Sequence, residues 1–149
     1  MQRFFILAGH FAFASLLTFV LASIVHSQFV LQGLLELGIH ISLSDRLAMT
    51  VDDIKGLFAT LGAIISFSLL LGFLTVYALN KFIHTVEYAH LLYPLAGGVA
   101  IWVMLAAMQP IMNITVVASA RSQLGILSLG LCGVVGGALF WRLRKVQPH

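Results

Sequence analysis

The sequence predicts an all-α integral membrane protein, a four-helix bundle with a structured external segment between its first two helices. Three observations carry that reading. Four long apolar runs lie at about 4–25, 57–79, 91–116 and 124–141, and each matches the roughly 20 apolar residues that a helix needs to cross a bilayer core. The chain is 60% hydrophobic and only 9% charged, against about 25% charged for an ordinary soluble domain. Its few charges fall almost entirely outside the runs. Once four spans are assigned to 149 residues, little chain is left for a soluble domain, so we read a single transmembrane domain over 1–149.

The first run resembles a secretory signal in carrying Arg3 and an Ala22-Ser23 step. Its apolar stretch is longer than the roughly 7–15 residues of a signal core, which makes it a span. Beyond it, Gln28, Gln32 and Glu36 recur at intervals of four and share one helical face. The first helix is therefore expected to continue past the bilayer surface to Gly38, or to bend and lie along the interface. Ile39 to Ser44 alternates apolar and polar residues, the period of a strand. Thr50-Val51-Asp52-Asp53 reads as a cap with acids in the first turn of the second helix. This external segment, 26–56, is the first place to look for a partner or ligand surface.

The second and third runs are joined by the short polar stretch Asn80–His90, which makes them antiparallel neighbours. Pro94 is expected in the first turn of the third helix, where a missing N–H does no harm. Pro110 falls near the far end of the same helix, beside Gln109 and before Asn113. A kink there would free the carbonyl of Ala106 for nearby polar groups or water. Ser119–Gln123 is a tight turn into the fourth run.

Helices in lipid associate through small residues, because lipid removes the hydrophobic incentive. The fourth run has two such rows, Ser128, Cys132 and Gly136 on one and the GxxxG pair Gly133 and Gly137 on the other, and the third run has Gly97 and Gly98. The rows serve either close contact inside one protomer or a homo-oligomer seam.

Orientation follows from the basic residues. Arg3, Lys81, Arg142, Arg144 and Lys145 fall on one side, and Arg46, Lys55 and Arg121 on the other. Basic residues accumulate on the cytoplasmic side, which places both termini inside. Tyr88 and Trp141 stand where interfacial aromatics are expected. The pI near 9.4 thus reflects topology. Nucleic-acid binding would need a clustered, water-exposed basic face.

Candidate ligand-binding residues are few. His10 is the ionisable residue inside a span, at the depth of Gly97 and Gly98, whose missing side chains would leave room for the imidazole. On the external face, Arg121 at a helix start is badly placed for the dipole and needs a partner. Asp52 and Asp53 lie at the right level for an ion pair with it, and Gln109 stands nearby. A bis-histidine haem would draw on His10, His26, His84 and His90, two of which flank a solvated connection. His84, Glu87 and His90 are spaced by threes and fan over about 120° of helix, wider than a chelating i, i+4 pair. His26, Glu36, His40 and Asp45 match no standard metal spacing. Cys132 is the single cysteine, which excludes an intrachain disulfide or a cysteine cluster. No nucleophile elbow, HExxH or phosphate-binding glycine loop is present. We expect no cofactor and no metal.

The stretches Ser42 to Thr50, of the form SxxDRLxMT, and Ala118 to Gly125, of the form AxARxxxG, resemble uncharacterised four-span inner-membrane proteins of proteobacteria. The resemblance implies a fold and a bacterial inner-membrane location, and no activity. The Arg- and Glu-rich second helix of the small glutathione-linked membrane enzymes is absent here. The functional expectation is a non-enzymatic membrane component that self-associates or joins a larger membrane complex, with membrane lipids as its other partners. The alternative is a small-molecule, ion or lipid binder, as a channel or transporter, using the external face near Arg121.

Overall fold

A computed structural model describes residues 2–38, 40–83, 86–112 and 122–145. They form five helices: α1 (Gln2–Glu36), α2 (Leu43–Leu57), α3 (Leu61–Ile83), α4 (Ala89–Met112) and α5 (Gln123–Lys145), with one 3-10 turn at Val86–Tyr88 before α4. Four of them, all but α2, are long and apolar enough to cross a membrane. Their outward faces carry large apolar side chains, among them Leu131, Val103, Leu74 and Trp102, each at least half exposed. A water-soluble surface rarely tolerates contiguous apolar exposure on that scale. The chain is a multi-pass membrane protein.

The 35 residues of α1 make a rod of about 52 Å, well beyond the roughly 30 Å of a bilayer core. Its last turns keep Gln28, Gln32 and Glu36 exposed while Ser27 and Leu31 are buried, so the helix does continue as one amphipathic rod. It ends where the amide of Gly38 donates to the carbonyl of Leu35 at 2.9 Å. Gly38 has φ +80°, the left-handed conformation that only glycine adopts without strain.

The next segment departs from the sequence expectation. The alternation over Ile39 to Ser44 gives no strand among the described residues; α2 begins at Leu43 instead. The Ser42 hydroxyl accepts from the amide of Asp45 at 3.2 Å, with Asp45 in the first turn. A cap that satisfies an orphan donor outweighs a two-residue period over so short a stretch. Thr50, Asp52 and Asp53 consequently sit inside α2 rather than at a helix start, and the Thr50 hydroxyl donates back to the Arg46 carbonyl at 2.9 Å. The membrane helix α3 starts after a turn over residues 58–60.

Around the bundle the neighbours run α1, α5, α4, α3, with α1 and α3 closing the ring. The two small-residue rows of α5 face two different helices. Gly133 and Gly137 receive the backbone of α4 at Gly97 and at Tyr93–Pro94, and a Cβ on Gly97 would strike the Gly133 carbonyl. Gly136 meets the Thr18 side chain of α1, and Cys132 is buried. Cys132 and Gly136 of one row and both glycines of the other are thus packed inside the protomer. Pro94 is the sixth residue of α4 rather than a first-turn residue, so the carbonyl of His90 loses its helical donor. Helix α4 runs through Pro110 to Met112.

Aromatic side chains fill the bundle toward the end that carries Lys81, Arg142, Arg144 and Lys145, here the basic end. Phe73 stacks on Phe140 at 4.4 Å between centroids, and Tyr93 and Phe11 meet Phe73 edge-on at 5.6 and 6.2 Å. Such offset and edge contacts are the favoured geometries of aromatic pairs. Phe73 and Tyr93 are almost fully buried.

Candidate functional site

Two polar constellations stand out against this apolar frame, one at each end. The first joins α2 to the protruding part of α1. The Ser27 hydroxyl donates to Asp53 Oδ2 at 2.7 Å and also lies 3.0 Å from the Ser23 carbonyl. His26, the residue before Ser27 on α1, is buried as well. Ile54 and Leu57 of α2 pack on the core below. Asp53 thus turns inward to fix α2 on α1. Asp52, the next residue around the helix, turns outward and lies 4.0 Å from Lys55. That pair is exposed and solvent-screened, so it contributes little to stability.

The sequence grouped Asp52 and Asp53 with Arg121 and Gln109. Arg121 and the Gln109 side chain lie outside the described residues, as does His84. Within the described part, Asp52 and Asp53 address different surroundings.

His10 is half-buried on α1, one turn from Ala14 on the row that meets α5. Its Nδ1 is buried and has no hydrogen-bond partner among the described residues. The glycines expected to make room for it do something else: Gly97 and Gly98 face Gly133, Gly130 and Val134 of α5. Four-residue repeats align on one helix face, so the space beside His10 is set by α5. His10 and His26 are 16 positions apart on one helix, about 24 Å, and cannot serve one macrocycle. His90 Nδ1 lies 3.0 Å from the Glu87 carbonyl, and its ring leans on Trp141 at 6.0 Å. Among the described residues no three metal-ligating side chains converge.

The second constellation, at the basic end, was not legible as a site in the sequence. Arg144 of α5 donates a hydrogen bond to the Tyr93 hydroxyl of α4, and its guanidinium lies 5.6 Å from the centre of that ring. Beside them Lys145 covers Trp141 at 5.3 Å. Between α1 and α3 an apolar cleft of about 380 Å³ leads from Phe4 and Leu7 down to Phe73, with Arg144 on its rim. In sequence Arg144 is one of the basic residues that mark topology, and Tyr93 is part of an apolar run. Their 51-residue separation left no local pattern to find.

No family model, curated protein or solved structure matches this chain.

Proposed function

We propose that the protein is a non-enzymatic component of the bacterial inner membrane that self-associates through its external helix α2. One observation supports this above others. Leu43, Leu47 and Val51 form an exposed apolar stripe along α2, with exposures of 77, 64 and 48%. Positions four apart share a helix face, and this face lies next to the one that Asp53 fixes on α1. The opposite side carries Asp45 and Asp52. The helix is thus held rigidly by one edge while its apolar stripe is left for a second surface. The glycines of the small-residue rows of α5, the other candidate for self-association, are occupied by α1 and α4.

Leu47→Glu puts a charge in the middle of the stripe without touching the Ser27–Asp53 bond. Native mass spectrometry of the protein released gently from its own membrane should show an oligomer for the natural chain. For Leu47→Glu it should show mainly monomer, a weakening of about tenfold or more, since one interfacial charge left unpaired costs at least about 2 kcal/mol. A natural chain that is monomeric, or an oligomer unmoved by Leu47→Glu, would refute self-association through α2. The alternative reading, a small-molecule, ion or lipid site on the external face, rests on Arg121 and Gln109 together with Asp52. A stoichiometric non-lipid adduct in the same spectra would favour it.

A further inference from the structure

We propose that the cleft between α1 and α3 at the basic end is a binding site for one anionic glycerophospholipid, with an acyl chain in the cleft and the headgroup phosphate on Arg144. The cleft's volume, about 380 Å³, is in the usual range of small-molecule sites, roughly 300–1,000 Å³. Its walls are apolar side chains, including Phe4, Leu7, Leu70 and Leu74, and its floor is the Phe73–Phe140 stack. Those wall residues are 40 to 71% exposed, so the cleft opens outward between two membrane-spanning helices. An acyl chain can enter it sideways from the bilayer.

Charge sets the identity of the headgroup. Among the described residues Arg144 is the one charged group that lines the cleft, and its hydrogen-bond partner is a neutral phenol, which leaves most of the guanidinium fork unsatisfied. No described carboxylate pairs with it. Lys145 stands next to it on α5, and Lys81 lies in the last turn of α3. Glu87 is the single acid among the described residues at this end. Basic pockets between membrane helices attract anionic headgroups, and a guanidinium fork matches phosphate oxygens bidentately. The Tyr93 hydroxyl holds that fork at the mouth, and the aliphatic stem of Arg144 extends the apolar wall. A second cleft of about 450 Å³, beside Phe19 and Phe58 in the same α1–α3 seam, is lined by Ser15 and Ser66 with no charge. It lacks the feature that would select a headgroup.

This site is independent of self-association through α2, which lies at the other end. The test is native mass spectrometry of the full chain in nanodiscs of equal phosphatidylcholine and phosphatidylglycerol, with oleate added in parallel. One phosphatidylglycerol is expected to stay bound. Arg144→Gln removes a charged hydrogen-bond donor and should lower its retention about tenfold or more. Ala8→Trp, which fills the cleft from α1 at an exposed position, should do the same and carries the test if Arg144→Gln unfolds. Arg142→Gln, outside the cleft, should change retention by less than about twofold, as expected of an exposed charge. Equal retention of the two phospholipids, equal losses from Arg142→Gln and Arg144→Gln, or oleate held in place of phosphatidylglycerol would each overturn the assignment.

Discussion

Gly133→Val is expected to separate α4 from α5 and to cost the bundle about 3 kcal/mol, the upper part of the range for overpacked cores. The seam has no slack at this point. A Cβ on Gly133 would meet the carbonyl of Gly97 and the Ile101 side chain, and the carbonyl is backbone, which cannot rotate away. Gly97 faces Gly133 reciprocally, and Gly137 lies against the Tyr93–Pro94 backbone one turn further. In lipid, this backbone approach is itself the source of attraction, through dispersion contacts that any larger side chain removes. Gly130→Ala is the matched control. Its Cβ would sit 3.6 Å from the Gly98 carbonyl, an ordinary contact, so stability should stay within about 0.5 kcal/mol. Unfolding of both variants in mixed micelles, followed by far-ultraviolet circular dichroism, checks the pair. Equal effects would mean that α5 does not meet α4 along this row.

Phe73→Ala should cost a similar amount, about 3 kcal/mol. The phenyl ring joins three helices. It stacks on Phe140 of α5 and takes edge contacts from Phe11 of α1 and Tyr93 of α4. Its loss opens a cavity that neighbours pinned on three other helices cannot close, and forfeits aromatic pairs worth roughly 0.5–1.5 kcal/mol each. Phe67, on the same helix, is 52% exposed. Lipid replaces what its truncation removes, so Phe67→Ala should move the same unfolding midpoint by less than about 0.5 kcal/mol. A Phe67→Ala variant as unstable as Phe73→Ala would place the wrong face of α3 inward.

The spans were legible because length and hydropathy alone define a membrane helix. The continuation of α1 to Glu36 was legible too, since Gln28, Gln32 and Glu36 mark a wet face by spacing. The two rows of small residues on α5 were also visible, but spacing cannot say which neighbour fills each row. That is a tertiary fact, settled by Thr18 against Gly136 and Gly97 against Gly133. Helix α2 was missed for a local reason. Its stripe of Leu43, Leu47 and Val51 is obscured in sequence by the apparent alternation of Ile39 to Ser44, which also hides the Ser42 cap. The polar contacts were the least legible. Ser27 and Asp53 are 26 positions apart, and Ser27 reads in sequence as an ordinary hydroxyl with a helix carbonyl to bond. In Arg144, a residue counted for topology also binds a phenol on another helix.

Impermeant thiol labelling of single cysteines tests the arrangement most directly. In a Cys132→Ala background, Asp52→Cys reports α2 and Glu87→Cys reports the turn before α4; both positions are exposed and only α3 separates them along the span order. On the proposed topology, bacterial inner membrane with both termini inside, Asp52→Cys in cells stripped of the outer membrane should react at once and Glu87→Cys only after permeabilisation. Reaction of both in intact cells would mean that α3 does not cross the bilayer, and would contradict the four-span bundle with α2 outside.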